Sequence, residues 1–251
     1  MHLKNTRKMR EGEKTMCNEA GSLVECKNIT KKYGNKVALY DFSVSVKRGR
    51  IIGLLGSNGS GKTTFIKLLA GLLTPMYGEL TIDGKPVGKE TKKIVSYLPE
   101  RTYLNPDLTV KEAIGFFSDF YGDFSAEKAE KMVADLGISL KSRIRSMSKG
   151  MREKIQLILV MCREAELYLL DEPMGGIDPA ARDFIIKTII GNYNENSTVI
   201  ISTHLISDIE NILDEAIFIK DGELYLHKEI DEIREEYRKS VDELFREVYK
   251  C

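Results

Sequence analysis

Residues 51–73 read IIGLLGSNGSGKTTFIKLLAGLL. An apolar run, a glycine-rich stretch and an apolar pattern at helical spacing follow one another without interruption. The first part predicts a buried strand by its Ile and Leu content, and TTFIKLLAGLL predicts an amphipathic helix. Between them, GSNGSGKT (56–63) fits Gly-x-x-x-x-Gly-Lys-[Ser/Thr]. A strand before it and a helix after it are the context this pattern needs to form a phosphate-binding loop. An ordinary glycine turn does not call for that context.

The chemistry follows from the residue types. Glycine lets the backbone fold its N–H groups around phosphate oxygens. The helix N-terminus adds partial positive charge. Lys62 is placed to reach the β and γ phosphates, and the Thr63 hydroxyl can ligate Mg²⁺. Gly56, Ser57, Asn58, Gly59, Ser60, Gly61, Lys62, Thr63 and Thr64 are the candidate nucleotide-binding residues.

Other apolar strands extend the pattern. LVECKNITKKYG and VALYDFSVSVKRG predict strands, the second with the two-residue alternation of a half-buried strand. ELTIDGKPV predicts a hairpin turning at Asp83 and Gly84. IVSYLP, LYLLDE and TVIIST predict short buried strands, and IFIKDGELYLH a closing hairpin. From about Glu100 to Glu166 the chain reads as helices: TVKEAIGFFSDFYG, AEKAEKMVADLG and GMREKIQLILVMC. The fold class is therefore α/β, with a helical insertion between strands.

Two further sites sit at strand ends. LYLLDEP (167–173) places Asp171 and Glu172 after a buried strand. An acid there can hold Mg²⁺, and its neighbour can orient an attacking water or take its proton. His204 follows TVIIST at the same sheet edge, within reach of a γ-phosphate. His2 and His227 have no such setting.

The bulk numbers agree. The chain has 251 residues, 42% hydrophobic, with 38 Lys+Arg against 38 Asp+Glu. A nucleic-acid binder would carry a basic surplus, so that partner is not expected. The four cysteines are scattered and show no metal-ligand spacing, which suits a reducing cytosol. No apolar stretch reaches the roughly 18 residues needed to cross a bilayer. Residues 1–21 are basic without an apolar core and read as a disordered tail or a surface-binding arm, not a secretory signal.

Together these motifs resemble the ATP-binding subunit of ABC transporters, over most of the chain from Leu23 to Gly222. SMSKGM (146–151) resembles that family's signature turn. The resemblance implies a P-loop NTPase (RecA-like) core with an antiparallel β subdomain and an inserted α-helical subdomain. It divides the chain into the tail, an ATPase domain at 22–228 with helices at about 100–166, and a C-terminal helix at 229–251. It implies that Ser148 and Gly150 bind ATP in trans, capping the γ-phosphate held by a second ATPase subunit, identical or a paralogue. Lys149 and Met151 depart from the usual Gly and Gln.

The resemblance further implies that Tyr33 stacks on adenine and that Asp178 in GGIDP crosses the dimer interface. Glu100, where the family usually has Gln, joins Thr63 and Asp171 at the metal and contacts the membrane subunit. Glu172, His204 and Lys62 are the catalytic set, with ATP and Mg²⁺ as cofactors. YLPE, SKGM and GGIDP resemble ABC-2 type exporters, with an integral membrane permease as partner and a peripheral place on the inner face of the cell membrane. A second reading is an ATPase of the same family acting on a scaffold, such as one for iron–sulfur cluster assembly. A P-loop GTPase would carry a guanine-reading Asn-Lys-x-Asp, which is absent. The apolar stripe Ile230, Ile233, Tyr237, Val241, Leu244 and Val248 either packs on its own domain or extends a dimer interface.

Overall fold

The computed structural model describes residues 21–175, 179–194 and 196–250. The tail expected at 1–21 therefore lies outside them, apart from Gly21. β1 (Ser22–Tyr33) and β2 (Lys36–Lys47) form a long antiparallel hairpin. β3 (Ile51–Leu55) is buried throughout and leads through the glycine-rich loop into α1 (Lys62–Leu69). That helix stops short of the expected Leu73, because Gly71 turns left-handed at φ 65°. β4 (Tyr77–Ile82) and β5 (Lys85–Pro86) pair across Asp83 and Gly84, both left-handed, the backbone a two-residue hairpin turn requires.

A short helix α2 (Thr91–Ile94) precedes β6 (Val95–Leu98). Three helices follow: α3 (Val110–Phe120), α4 (Ala126–Asp135) and α5 (Lys149–Met161). Thr109 and Glu112 close a capping box at the start of α3. Then come β7 (Leu167–Asp171), α6 (Pro179–Asn192), β8 (Thr198–Ser202) and α7 (Ile206–Ile209). The chain continues as β9 (Glu215–Lys220), β10 (Glu223–Glu229), α8 (Ile230–Tyr237) and α9 (Val241–Tyr249).

The strands make two sheets. One is antiparallel in the order β2-β1-β4-β5; the other runs β10-β9-β3-β8-β7-β6. In the second, β9, β3, β8, β7 and β6 are parallel and only β10 is antiparallel. Alternate residues serve opposite faces. Ile51, Leu55, Tyr168, Leu170, Val199, Ile201 and Phe218 pack under α6, α8 and α9. Ile52, Leu54, Leu167, Leu169, Ile200 and Ile217 pack against α1 and the antiparallel sheet. Burial on both faces explains why these strands read as unbroken apolar runs.

The same reasoning accounts for IQLILVMC in α5. Leu157, Val160 and Met161 join the sheet core, while Ile155, Ile158, Leu159 and Cys162 join the separate core of α3 and α4. The stretch from Ile155 onward is apolar nearly all round because it is the seam between two cores.

The C-terminal stripe is carried by two helices where the spacing suggested one. Arg238 is left-handed at φ 55°, and Ser240 with Glu243 caps the restart. Ile230, Ile233, Val241, Leu244 and Phe245 are all buried in the chain's own core. Of the two readings, packing on its own domain is the one observed.

Candidate functional site

Every strand of the parallel sheet that carries a candidate side chain delivers it to the same edge. β3 ends at the loop 56–61, β7 ends at Asp171 and Glu172, and β8 ends two residues before His204. Parallel register places Asp171 beside Ser202. This convergence at the carboxyl ends of parallel strands is where α/β sheets bind ligands.

The loop is held by its glycines and its lysine. Gly61 sits at φ 117°, and a Cβ there would come within 2.5 Å of the Ala38 carbonyl. At Gly56 a Cβ would lie 2.4 Å from Ser60 Oγ and 2.5 Å from the Ile219 carbonyl. Lys62 is 6% exposed, and its Nζ donates to the carbonyls of Gly56 (2.7 Å) and Ser57 (3.2 Å). Burial lowers its pKa, opposed by the carboxylates of Glu172, Asp171 and Glu100. Ser60 is buried with an unpartnered Oγ, and Thr64 is buried in α1.

Asp171 is 1% exposed. Its Oδ1 accepts from Ser202 Oγ (2.6 Å) and Thr63 Oγ1 (3.1 Å). Its Oδ2 is buried and has no protein partner. Burial pushes its pKa up, against the lowering effect of those two hydrogen bonds. An orphaned carboxylate oxygen beside a threonine hydroxyl fits a hard cation. Among the described residues no group of three or more His, Cys, Asp or Glu side chains stands close enough to hold a metal alone.

Glu172 leaves the strand in a left-handed conformation, φ 49°, costly for a residue with a Cβ. Its N–H is fixed by the Ser202 carbonyl (3.0 Å) and Ser202 Oγ (3.1 Å). The turn aims its carboxylate between two groups. Oε1 lies 3.9 Å from Lys62 Nζ, and Oε2 lies 2.9 Å from His204 Nδ1. The side chain is largely shielded, whereas His204 is half-exposed.

Lys62, Glu172 and His204 line one open cleft of ≈ 970 Å³. Tyr33, Asn58, Gly59, Gly61, Thr63, Thr64 and Glu100 also line it. Tyr33 is 47% exposed, so its ring is free to stack. Ser148 caps α5, its Oγ accepting from the Met151 N–H at 3.2 Å. At Gly150, no described atom outside its own helix turn lies within 4 Å of the position a Cβ would take. Lys149, Arg152 and Glu153 line the same cleft as the phosphate loop. Asp178 lies outside the described residues.

Ser202 is the residue that motif reading missed. It anchors both Asp171 and the Glu172 N–H. The signal was a hydroxyl ending an apolar strand two positions before His204, but only the β7–β8 register reveals its partners. Lys36, next to the loop at Gly59, was missed too; it lies in the hairpin and carries no motif.

A family profile described as ABC transporter matches residues 39–175. The chain is 33% identical over 208 residues to the Nod factor export ATP-binding protein I of Burkholderia orbicola (strain AU 1054), across 79% of this chain and 68% of that protein. It superposes on a solved ATP-binding subunit of an ABC transporter with TM-score 0.81 and 29% identity, covering 91% of this chain and 100% of the other. A dimeric ATP-binding cassette in a post-hydrolysis state, bound to ADP and Pi, matches with TM-score 0.72 at 23% identity, across 82% of this chain and 98% of that one.

Proposed function

The chain belongs to the ABC transporter family as an ATP-binding, ATP-hydrolysing subunit, and from that premise we propose that it works as one half of a head-to-tail dimer driving a separate membrane subunit, an exporter. The observation that carries the chemistry is the placement of Glu172, held by Ser202 and flanked by Lys62 and His204. A shielded carboxylate at that point can orient the attacking water and accept its proton. His204 uses Nδ1 on Glu172, which leaves Nε2 to meet the γ-phosphate. Lys62 stabilises the charge that develops there. The backbone N–H groups of 56–61 cradle the phosphates, and Tyr33 stacks on adenine.

Thr63, Asp171 and Glu100 are the residues that would hold Mg²⁺, which supplies charge neutralisation at the β and γ phosphates. The turn 148–150 fits a phosphate brought by the partner chain, since among the described residues nothing beyond its own helix turn comes within 4 Å of the position of a Cβ at Gly150. The dimeric cassette with ADP and Pi supports the two-chain arrangement by analogy of fold. Asp178 is assigned to the dimer interface on the family pattern. Export follows the name of the Nod factor relative. Scaffold assembly finds no support among the relatives described.

No helix among the described residues is long and apolar enough to cross a membrane. On the family pattern the protein works at the inner face of the membrane through a permease, with α3, α4 and the Glu100 loop passing on the motion. The test is affinity purification of Glu172→Gln from detergent-solubilised membranes with Mg·ATP. Recovery of a polytopic membrane protein is expected. Recovery of soluble proteins alone overturns the transport reading.

A further inference from the structure

Gln156 is an amide placed where the surrounding helix is otherwise apolar. It lies in α5 within IQLILVM and is 3% exposed. Its position costs free energy unless both ends of the amide are hydrogen-bonded. Both are. Oε1 accepts from the Tyr103 N–H at 3.2 Å, and Nε2 donates to the Pro99 carbonyl at 3.4 Å. These two backbone groups bracket residues 100–102, so one side chain clasps the loop that carries Glu100.

The clasp belongs to a row. Gln156, Val160 and Arg163 are spaced i, i+4, i+7, on one side of α5 and just past its end. Ser96 Oγ donates to the Val160 carbonyl at 2.9 Å, and Arg163 donates to the carbonyls of Val95 and Lys93, both at 2.6 Å. The row fastens α5 along β6 and onto the loop that leaves it. Glu100, in that loop, lines the ATP cleft and acts electrostatically on Lys62 and Asp171. Ser148 opens the same helix, roughly 12 Å along its axis from Gln156.

We propose that Gln156 is a positioning residue: it locks the Glu100 loop to the helix that presents Ser148, so the state of the chain's own ATP site sets the pose of the turn offered to the partner. This rests on the reading of Glu100 as part of the ATP site. Gln156 itself touches no nucleotide. The linkage is short and stiff, since a helix transmits displacement along its axis and packed interfaces shift between discrete arrangements.

The experiment is a double-mutant cycle on the full chain, reading ATPase kcat, KM and melting temperature. Gln156→Met keeps the volume and removes both bonds. It is expected to lower kcat about 10-fold, as a small misplacement at a catalytic interface does. KM should stay within about twofold, because ground-state binding is untouched. Gln156→Glu keeps the acceptor for Tyr103 and should restore part of the loss. In a Glu100→Ala background, Gln156→Met should add nothing. If Gln156→Met does not fold, Gln156→Asn, one methylene too short to span both groups, takes its place. Independent, multiplying effects of the two sites overturn the tether. So does a loss with Glu100→Ala but none at Gln156, and the ATPase assignment then stands. No loss with Glu100→Ala removes the loop's role, and the inference falls with it.

Discussion

Two glycine-bearing turns start helices in this molecule, and their glycines answer to different constraints. At 56–61 the chain's own atoms demand glycine: Gly61 is left-handed, and a Cβ at Gly56 or Gly61 would collide with backbone carbonyls at 2.5 Å. At 148–150 nothing among the described residues outside its own helix turn does, because a Cβ at Gly150 would meet no atom within 4 Å and the backbone is ordinarily helical. The first turn is completed internally, by Lys62 bonding to loop carbonyls. The second offers a capped, exposed helix start, whose glycine we propose answers to a phosphate brought by a partner chain. The difference teaches that a fold constraint and a functional constraint on the same residue type can be told apart by what a methyl group would meet.

The sharpest break would come on the internal side at Glu172, the carboxylate we propose orients the attacking water. Glu172→Gln should cut kcat by about 10²–10⁴-fold. Equilibrium ATP binding should persist in that variant, and turnover near the parent's would defeat the assignment. Next, Lys62→Ala removes charge-assisted bonds to phosphate and should weaken ATP affinity about 10- to 100-fold. A fluorescent nucleotide titration reads it; unchanged affinity would mean the loop binds something else.

The comparison itself is tested by matched glycine substitutions. Gly61→Ala should lower the melting temperature by several degrees, since a left-handed alanine costs about 1–2 kcal/mol before any clash is counted. Gly150→Ala should leave it level or raise it, because alanine is favoured in helices by up to about 1 kcal/mol. Yet Gly150→Ala should slow ATP hydrolysis about 10-fold, as loss of a well-placed phosphate contact does. A destabilised but fully active Gly150→Ala would reverse the distinction. The smallest effect belongs to Tyr33→Ala, expected to raise KM for ATP about fivefold through lost stacking, with Tyr33→Phe neutral. Equal losses in both would point to the hydroxyl instead of the ring.

Much of this was legible because local chemistry repeats local rules. The loop 56–63, the acids after LYLL and the turn at Asp83-Gly84 each carry their signal within a few residues. The end of α1 was misjudged because LLAGLL keeps helical spacing through Gly71, which breaks the backbone without breaking the pattern. The C-terminal stripe hid a similar break: its apolar spacing ran across Arg238, although the Ser240 and Glu243 capping pair marks the second start. Ser202 and Gln156 were not legible as site residues. Their partners are 31 residues away at Asp171 and 53 residues away at Tyr103, and no local pattern encodes a distance of that kind.

By itself, the sequence determined the phosphate loop, the two acids, the α/β class and the family, because residue type and short-range spacing suffice for each. Tertiary structure alone decided that Asp171 keeps one oxygen unpartnered, that Glu172 is bent left-handed between Lys62 and His204, and that α5 joins two cores while clasping the Glu100 loop. The reason is physical. Hydrogen-bond satisfaction and burial depend on which strands lie side by side, and parallel strands meet only after the long crossovers between them have folded.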